Sequence, residues 1–319
     1  VARLRGGSVS IEAPGREGEL ATTYDGARTR LVSIAYAVLG SHSEAEDVVA
    51  DCWLRLVDAD RREPVRDVEG WATVTVARAA LDVARSARRR REVYTGPWLP
   101  EPVVALVDGP GGVDGGDPLD RVTLDDSLRY ALLVVLESLS PAERTSWVLH
   151  DLFGLPFDEI ATAVGRTPAA VRQLASRART HVRAGAPRVE VTPSEHDAAV
   201  RRFLAAAAGG DLGALLEALD PDVVLTSDGG GFVSAALRPI VGADKVGRFV
   251  AGILSRNAAT ARVVPIRVNG ELGVGVMEDG VLTTATSFTF DGERVVRMDV
   301  IRSPEKLPRH PRRTPEVTS

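Results

Sequence analysis

At 319 residues, 44% of them hydrophobic and 26% charged, the chain is long enough for two or three domains, each with its own core. A formal net charge of −5 gives no overall signature of a nucleic-acid binder, although an average hides local fields, and the single cysteine, Cys52, excludes an internal disulfide and suits a reducing compartment. No apolar run reaches the roughly 18 residues of a membrane span, and the start carries no signal-peptide core, so the expectation is a cytoplasmic protein with no membrane partner.

Residues 1–19 are rich in Gly, Arg and Glu without periodicity and read as a flexible lead-in. Residues 20–91 read as helices. Within them Ala45, Val48, Val49, Cys52, Trp53 and Leu56 form one apolar stripe at about 100° per residue. Asp47, Asp51, Leu54 and Asp58 fall on the opposite face, a leucine among three carboxylates, which suits a basic protein partner as well as an ordinary acidic surface. The next helix runs from Trp71 to Arg91. It ends in a basic block, Arg85, Arg88, Arg89, Arg90 and Arg91, that contains no acid and fits phosphate contact. Trp71 is read either as core or as a platform for exposed bases.

Residues 92–120 form a Pro- and Gly-rich linker, in which GPGGVDGGDP at 109–118 cannot sustain regular structure and should let the helical domains on either side move independently. The stretch Trp98, Leu99, Pro100, Glu101 and Pro102 differs from its surroundings. It is apolar and stiffened by proline, and Trp98 offers a large area to bury, so docking is expected.

Residues 121–185 return to helix. Ser140, Pro141 and Glu143 supply a capping hydroxyl, a first-turn proline and a reciprocal carboxylate. Gly165 ends one helix and Thr167-Pro168 starts another, so residues 165–167 make the sharp turn of a helix-turn-helix. On the second helix Val171, Leu174, Ala178 and Val182 should face inward and Arg172, Gln173, Ser176, Arg177 and Arg179 outward. Arginine and glutamine can read guanine and adenine edges while further arginines hold phosphate. From 161 to 190 there are six Arg against one acid, Glu190. A helical hairpin with a solvated basic face is the plainer alternative.

Residues 195–301 mix helix and strand. Helices are expected at 195–208 and 243–257, and strands at 222–227, 231–237, 261–268, 271–277, 281–290 and 294–301. Six strands with early helices suggest a curved antiparallel sheet covered on one side. Asp228, Gly229, Gly230 and Gly231 read as a strand-connecting turn. Asp228, Arg238 and Asp299 are the obvious polar groups for a pocket enzyme, but no nucleophile, metal-ligand cluster or nucleotide loop accompanies them. Neither a metal nor a cofactor is expected. Residues 302–319 form a tail.

These residues resemble the extracytoplasmic-function group of bacterial sigma factors. The match rests on AYAVLGSHSEAEDVVADCWLRL with Trp71, Asp82 and Arg85 after it, and on the whole helix-turn-helix. GPWLPEP at 96–102, DGGG at 228–231 and SPEKL at 303–307 narrow it to SigJ-type members that carry a SnoaL-like extension. The resemblance covers about 22–307 and implies a multidomain protein: two all-α domains, region 2 at 20–91 and region 4 at 121–185, and an α+β cone with a curved antiparallel sheet at 195–301. It implies a non-enzymatic transcription initiation factor whose partners are core RNA polymerase and promoter DNA. Asp47, Asp51, Leu54 and Asp58 would dock on the polymerase. Trp71, Arg78, Arg85 and Arg88 to Arg91 would act at the minus-10 element, and Arg166, Thr167, Arg172, Gln173, Ser176, Arg177 and Arg179 at the minus-35 element. Trp98 to Pro102 and Asp228 to Gly231 would form a regulatory contact between the cone and the helical part, with a small-molecule ligand of the cone as a further partner. Two alternatives stay open: a DNA-binding regulator independent of core polymerase, and a DNA-binding protein fused to a SnoaL-type enzyme.

Overall fold

A computed structural model describes residues 15–91, 94–107, 128–186, 189, 191–209, 212–257, 261–308 and 312–314. The first helix, α1 (Arg16–Leu39), is buried without a break from Leu31 to Leu39, so it must be enclosed on all sides. It stops at Gly40, whose φ of 69° closes the helix in the left-handed conformation. Ser41 then caps α2 (His42–Arg62) by accepting from Glu44 N, and α2 buries Ala45, Val48, Val49, Cys52 and Leu56 as its stripe requires. Helix α3 (Val68–Arg91) completes the group. The lead-in is shorter than expected. Residues 16–19 already belong to α1, where Arg16 pairs with Asp60 at 2.7 Å and donates to Val65 O; residues 1–14 lie outside the described residues.

The second helical group consists of α4 (Tyr130–Leu136), α5 (Pro141–Trp147), a π-turn over Val148–Leu152, α6 (Phe157–Val164) and α7 (Pro168–Gly185). It shares its core with the first group. Leu133, Leu136, Trp147, Val148 and Ala178 cluster with residues of α1 and α2, while Ile34 of α1 and Ala77 and Leu81 of α3 cluster with Leu149, Ile160, Val164 and Val171. Independent movement of the two groups, expected from the glycine-rich linker, is therefore corrected: each large apolar side chain in that seam is worth about 1.5–3 kcal/mol of burial. GPGGVDGGDP itself lies outside the described residues.

Helices α8 (Pro193–Ala208), α9 (Leu212–Glu217) and α10 (Ala243–Asn257) accompany one eight-stranded sheet of order β3-β2-β7-β6-β5-β4-β1-β8. The strands are β1 (Val104–Val107), β2 (Leu219–Asp228), β3 (Ile240–Val241), β4 (Arg262–Val268), β5 (Glu271–Glu278), β6 (Val281–Asp291), β7 (Arg294–Ile301) and β8 (Arg312–Thr314). Phe203, Phe288, Phe290 and Met298, with Leu215, Val223, Leu225 and Val246, fill the space between helices and sheet.

Four sequence expectations change here. The linker contributes β1, which pairs with β4 through Val104↔Val268. The sheet is mixed, because β2 runs parallel to β7 and β1 to β8. Residues 231–237 form no strand: a turn covers 230–232, where Gly230 and Gly231 take positive φ and Gly229 O accepts from Phe232 N and Val233 N, and irregular chain follows. Residues of the expected tail are packed: Ser303, Lys306 and Leu307 are buried. A third apolar cluster joins linker, α4 and sheet through Leu99, Val104, Tyr130, Val134, Ile266, Ile301 and Leu307. Among the described residues no helix is long and apolar enough to cross a membrane.

Candidate nucleic-acid interface

The capping box at Ser140 and Glu143 fixes the start of α5, Gly165 ends α6 at φ 69°, and Thr167 caps α7 by accepting from Ala170 N. Val171, Ala175 and Ala178 form the buried face of α7. Ala175 takes the central place expected of Leu174, which is half-buried like Val182. Arg166, Thr167, Arg172, Gln173, Ser176 and Arg177 are exposed, forming one polar surface at the turn and along the helix. Its arginines differ in what holds them. Arg177 Nε donates to Glu143 Oε1 at 2.9 Å. Arg179, half-buried, donates through Nε and Nη2 to Asp151 Oδ1 at 2.8 and 2.6 Å. Arg172 lies over the Phe157 ring, 5.2 Å from its centroid. The Ser140 hydroxyl, followed by the Arg177 guanidinium, holds the Glu143 carboxyl below its usual range.

On α3, Trp71 packs partly into the helical core. Arg78 Nη2 donates to Thr162 O of α6 at 2.7 Å, so the sequence-predicted minus-10 residue touches the helix-turn-helix. Arg85 pairs with Asp82 at 3.1 Å and Arg88 is exposed. Arg89, Arg90 and Arg91 lie on the helix, but their side chains are outside the described residues. The α2 face is presented as expected: Asp47, Asp51, Leu54 and Asp58 are all exposed, Leu54 at 63%.

The linker segment is gripped from three sides. Asp228, fully buried, accepts from Tyr94 OH at 2.5 Å, Leu99 N at 2.8 Å, Gly230 N at 3.0 Å and Lys306 Nζ at 2.7 Å. Four donors offset the cost of removing this carboxylate from water. Lys306 Nζ also donates to Leu99 O at 2.7 Å and sits 3.0 Å from the Trp98 ring centroid, a cation–π contact. Gly230 is needed beside it, because its φ of 68° strains any other residue and a Cβ there would meet Ser303 Oγ and the Phe232 ring. Pro100 O accepts from Tyr130 OH of α4 at 2.8 Å. The Glu101 carboxylate accepts from the Ser41 and Ser43 hydroxyls at 2.7 and 2.9 Å, while its backbone N–H donates to Gly40 O. Pro102 is buried next to it. Asn269, in the β4–β5 turn, exchanges backbone and side-chain hydrogen bonds with Val103 and donates to Leu128 O and Tyr36 OH.

Sequence reasoning missed Tyr36, Tyr94, Asn269 and Lys306 as members of this clasp. Asn269-Gly270 carries only a hairpin-turn signal, and Lys306 stands in the SPEKL motif without a visible partner. Of the polar groups weighed for a pocket enzyme, Asp228 and Asp299 are both buried near Tyr130, on the adjacent strands β2 and β7. Asp228 belongs to the clasp, Arg238 is exposed, and buried Asp299 pairs with Arg297 at 2.8 Å while burial raises its pKa. Among the described residues no cluster of three or more His, Cys, Asp or Glu could hold a metal.

The model for sigma-70 region 2 matches residues 24–90 and that for sigma-70 region 4 matches residues 129–182. The chain is 42% identical over 254 residues to the ECF RNA polymerase sigma factor SigJ of Mycobacterium tuberculosis, 78% of each chain. It is 36% identical over 283 residues to the probable ECF RNA polymerase sigma factor SigI of the same species, covering 88% of this chain and 92% of that one. The crystal structure of M. tuberculosis SigJ superposes with a TM-score of 0.71 at 36% identity, covering 90% of this chain and 97% of that one.

Proposed function

The chain belongs to the extracytoplasmic-function RNA polymerase sigma factors, and from that membership we propose how its residues divide the work. It binds core RNA polymerase and directs it to promoters. The observation that carries the division is the pairing of two matched sigma regions with two exposed surfaces of opposite character. The acidic α2 face with Leu54 at its centre docks on polymerase: a leucine left bare among Asp47, Asp51 and Asp58 gains burial only against a partner, and the carboxylates favour a basic one. The α7 surface reads the minus-35 element, with Arg172, Gln173 and Ser176 at base edges and Arg166 and Thr167 beside phosphate. Trp71, Arg78 and the arginines from Arg85 onward act at the minus-10 element.

The carboxyl-terminal domain acts in cis by holding this machinery shut. Two contacts support that reading. Arg78 is tied to α6, so the minus-10 helix is not free while the helical seam stays closed, and the Asp228–Lys306 clasp holds the segment that spans both helical groups and the sheet. No catalytic role is assigned to the domain, whose interior is filled by Phe203, Phe288, Phe290 and Met298. Reconstitution of the full chain with core polymerase, followed by run-off transcription on genomic fragments, tests the proposal: promoter-specific transcripts are expected, and failure to join core polymerase would favour an independent DNA-binding regulator.

A further inference from the structure

We propose that Phe157, backed by His150, is a positioning residue for minus-35 specificity, because it stacks the guanidinium of Arg172 so that its hydrogen-bonding edge faces the DNA. The inference rests on the reading of Arg172 as a base-contacting residue and adds a side chain that touches no base.

The geometry starts at the π-turn. After α5 the chain adopts i→i+5 hydrogen bonding over Val148–Leu152, with Phe153 N donating to Val148 O at 3.2 Å. Such turns place side chains where a regular helix would not, and they recur at functional sites. Val148 and Leu149 point into the core, fully buried, while the next two residues both serve the recognition helix. Asp151 grips Arg179. The His150 ring, fixed by a contact of Nδ1 with Leu155 O at 3.0 Å, lies against Phe157 with centroids 4.0 Å apart and planes 31° from parallel. Phe157 is the first residue of α6, and the guanidinium carbon of Arg172 of α7 lies over its ring, 5.2 Å from the centroid. His150 and Arg172 thus both contact the Phe157 ring.

A stacked guanidinium loses torsional freedom without losing a donor, because all five N–H groups lie in its plane and the ring takes only its face. Arg172 differs in this from Arg177 and Arg179, whose donors go to Glu143 and Asp151. Among the described residues no acceptor takes those of Arg172. A planar fork held in one orientation is what bidentate recognition of guanine O6 and N7 requires.

The experiment uses the full chain in complex with core polymerase and a promoter set in which each minus-35 base pair is changed in turn. Arg172→Ala should abolish discrimination at one base pair. Phe157→Leu should reduce discrimination at that same pair by about 2- to 5-fold, the weight of an exposed cation–π contact, leave the other pairs unchanged, and be rescued by Phe157→Tyr. If Arg172→Ala leaves every base pair unaffected, the base-reading role fails and the proposal with it. If Arg172→Ala acts at one pair and Phe157→Leu does not, the positioning role alone is overturned. It is overturned as well if Phe157→Leu weakens all pairs equally, as a general prop of the turn would, or raises discrimination, as a ring that sequesters the guanidinium would. Should Phe157→Leu fail to fold, His150→Leu, which removes only the backing ring, must reduce discrimination at the same pair; an unchanged pair then counts against the stack.

Discussion

Asp228→Ala is the sharpest probe of the clasp. The substitution removes the acceptor of four donors and leaves Lys306, whose side chain is 8% exposed, as a buried cation without its carboxylate, beside Leu99 O and the rings of Trp98 and Tyr94. Breaking a buried pair by removing one partner costs about 3–5 kcal/mol, chiefly because the other charge is stranded. If the cost falls wholly on the closed arrangement, the ratio of closed to open molecules drops by about 10²-fold to a few thousandfold, at about 1.4 kcal/mol per tenfold. Asp228→Ala combined with Lys306→Met removes both charges, so the double variant should recover part of the loss, as a double-mutant cycle would show. Hydrogen exchange over residues 98–107 reads the opening directly, small-angle scattering reads the shape, and run-off transcription with core polymerase reads the consequence. Exchange in Asp228→Ala that stays within about threefold of the parent, a shift worth about 0.6 kcal/mol, would refute the reasoning, and so would a double variant no better than the single one.

Leu54→Asp with Asp51→Arg should weaken core-polymerase binding at unchanged circular dichroism, since both side chains lie off the buried stripe of α2; equal affinity in a titration would discard that docking face. Arg78→Ala removes the donor to Thr162 O and should lower the barrier to separating α3 from α6, seen as faster exchange across α6 while α2 is unaffected. The depressed pKa of Glu143 makes the α5 cap sensitive to acid: a carboxyl held below its unfolded value of about 4.3 stabilises the fold above that value and stops doing so as pH falls through its folded pKa. Glu143→Gln should therefore lower the thermal midpoint at pH 7 but flatten its fall between about pH 5 and 3, and a parallel acid profile for parent and variant would count against the assignment.

Where a segment carries its own punctuation the sequence was readable. Ser140-Pro141, Gly165 and Thr167-Pro168 mark the helix-turn-helix, the stripe of α2 shows its buried face, and the alternation in β5 to β7 sets their spans. What stayed hidden depends on partners far along the chain. Strand β1 is four residues long and pairs with β4, more than 150 residues away; nothing local distinguishes it from linker. The parallel pairing of β2 with β7 has no local signature either. Gly231 to Leu237 reads as strand by composition but opens in a turn and continues as irregular chain, because three successive glycines and their close contacts override propensity. At the candidate interface the outward residues of α7 follow from periodicity, but the acids that hold Arg177 and Arg179 sit 34 and 28 positions upstream, and the clasp joins residues up to 233 apart.

The clasp and the helical seam are linked energetically because one short segment serves both. Between Leu99 and Val103 the chain is bonded to Asp228 and Lys306, to Tyr130 at the head of α4, to Gly40 and Ser41 between α1 and α2, and to Asn269 of the sheet. A change that frees Leu99 therefore loosens the anchor at Gly40, beside which Arg144 of α5 donates to Ala37 O and pairs with Glu137. Polymerase can open such a body only through binding free energy it gains with the open form and not with the closed one. The closed state consequently subtracts from apparent affinity by the logarithm of the fraction open. Weakening the clasp raises transcription only until most molecules are open, so effects of clasp and seam variants add at first and then saturate. That ceiling separates a device that gates the sigma core from a domain merely attached to it, whose loosening would leave transcription where it was.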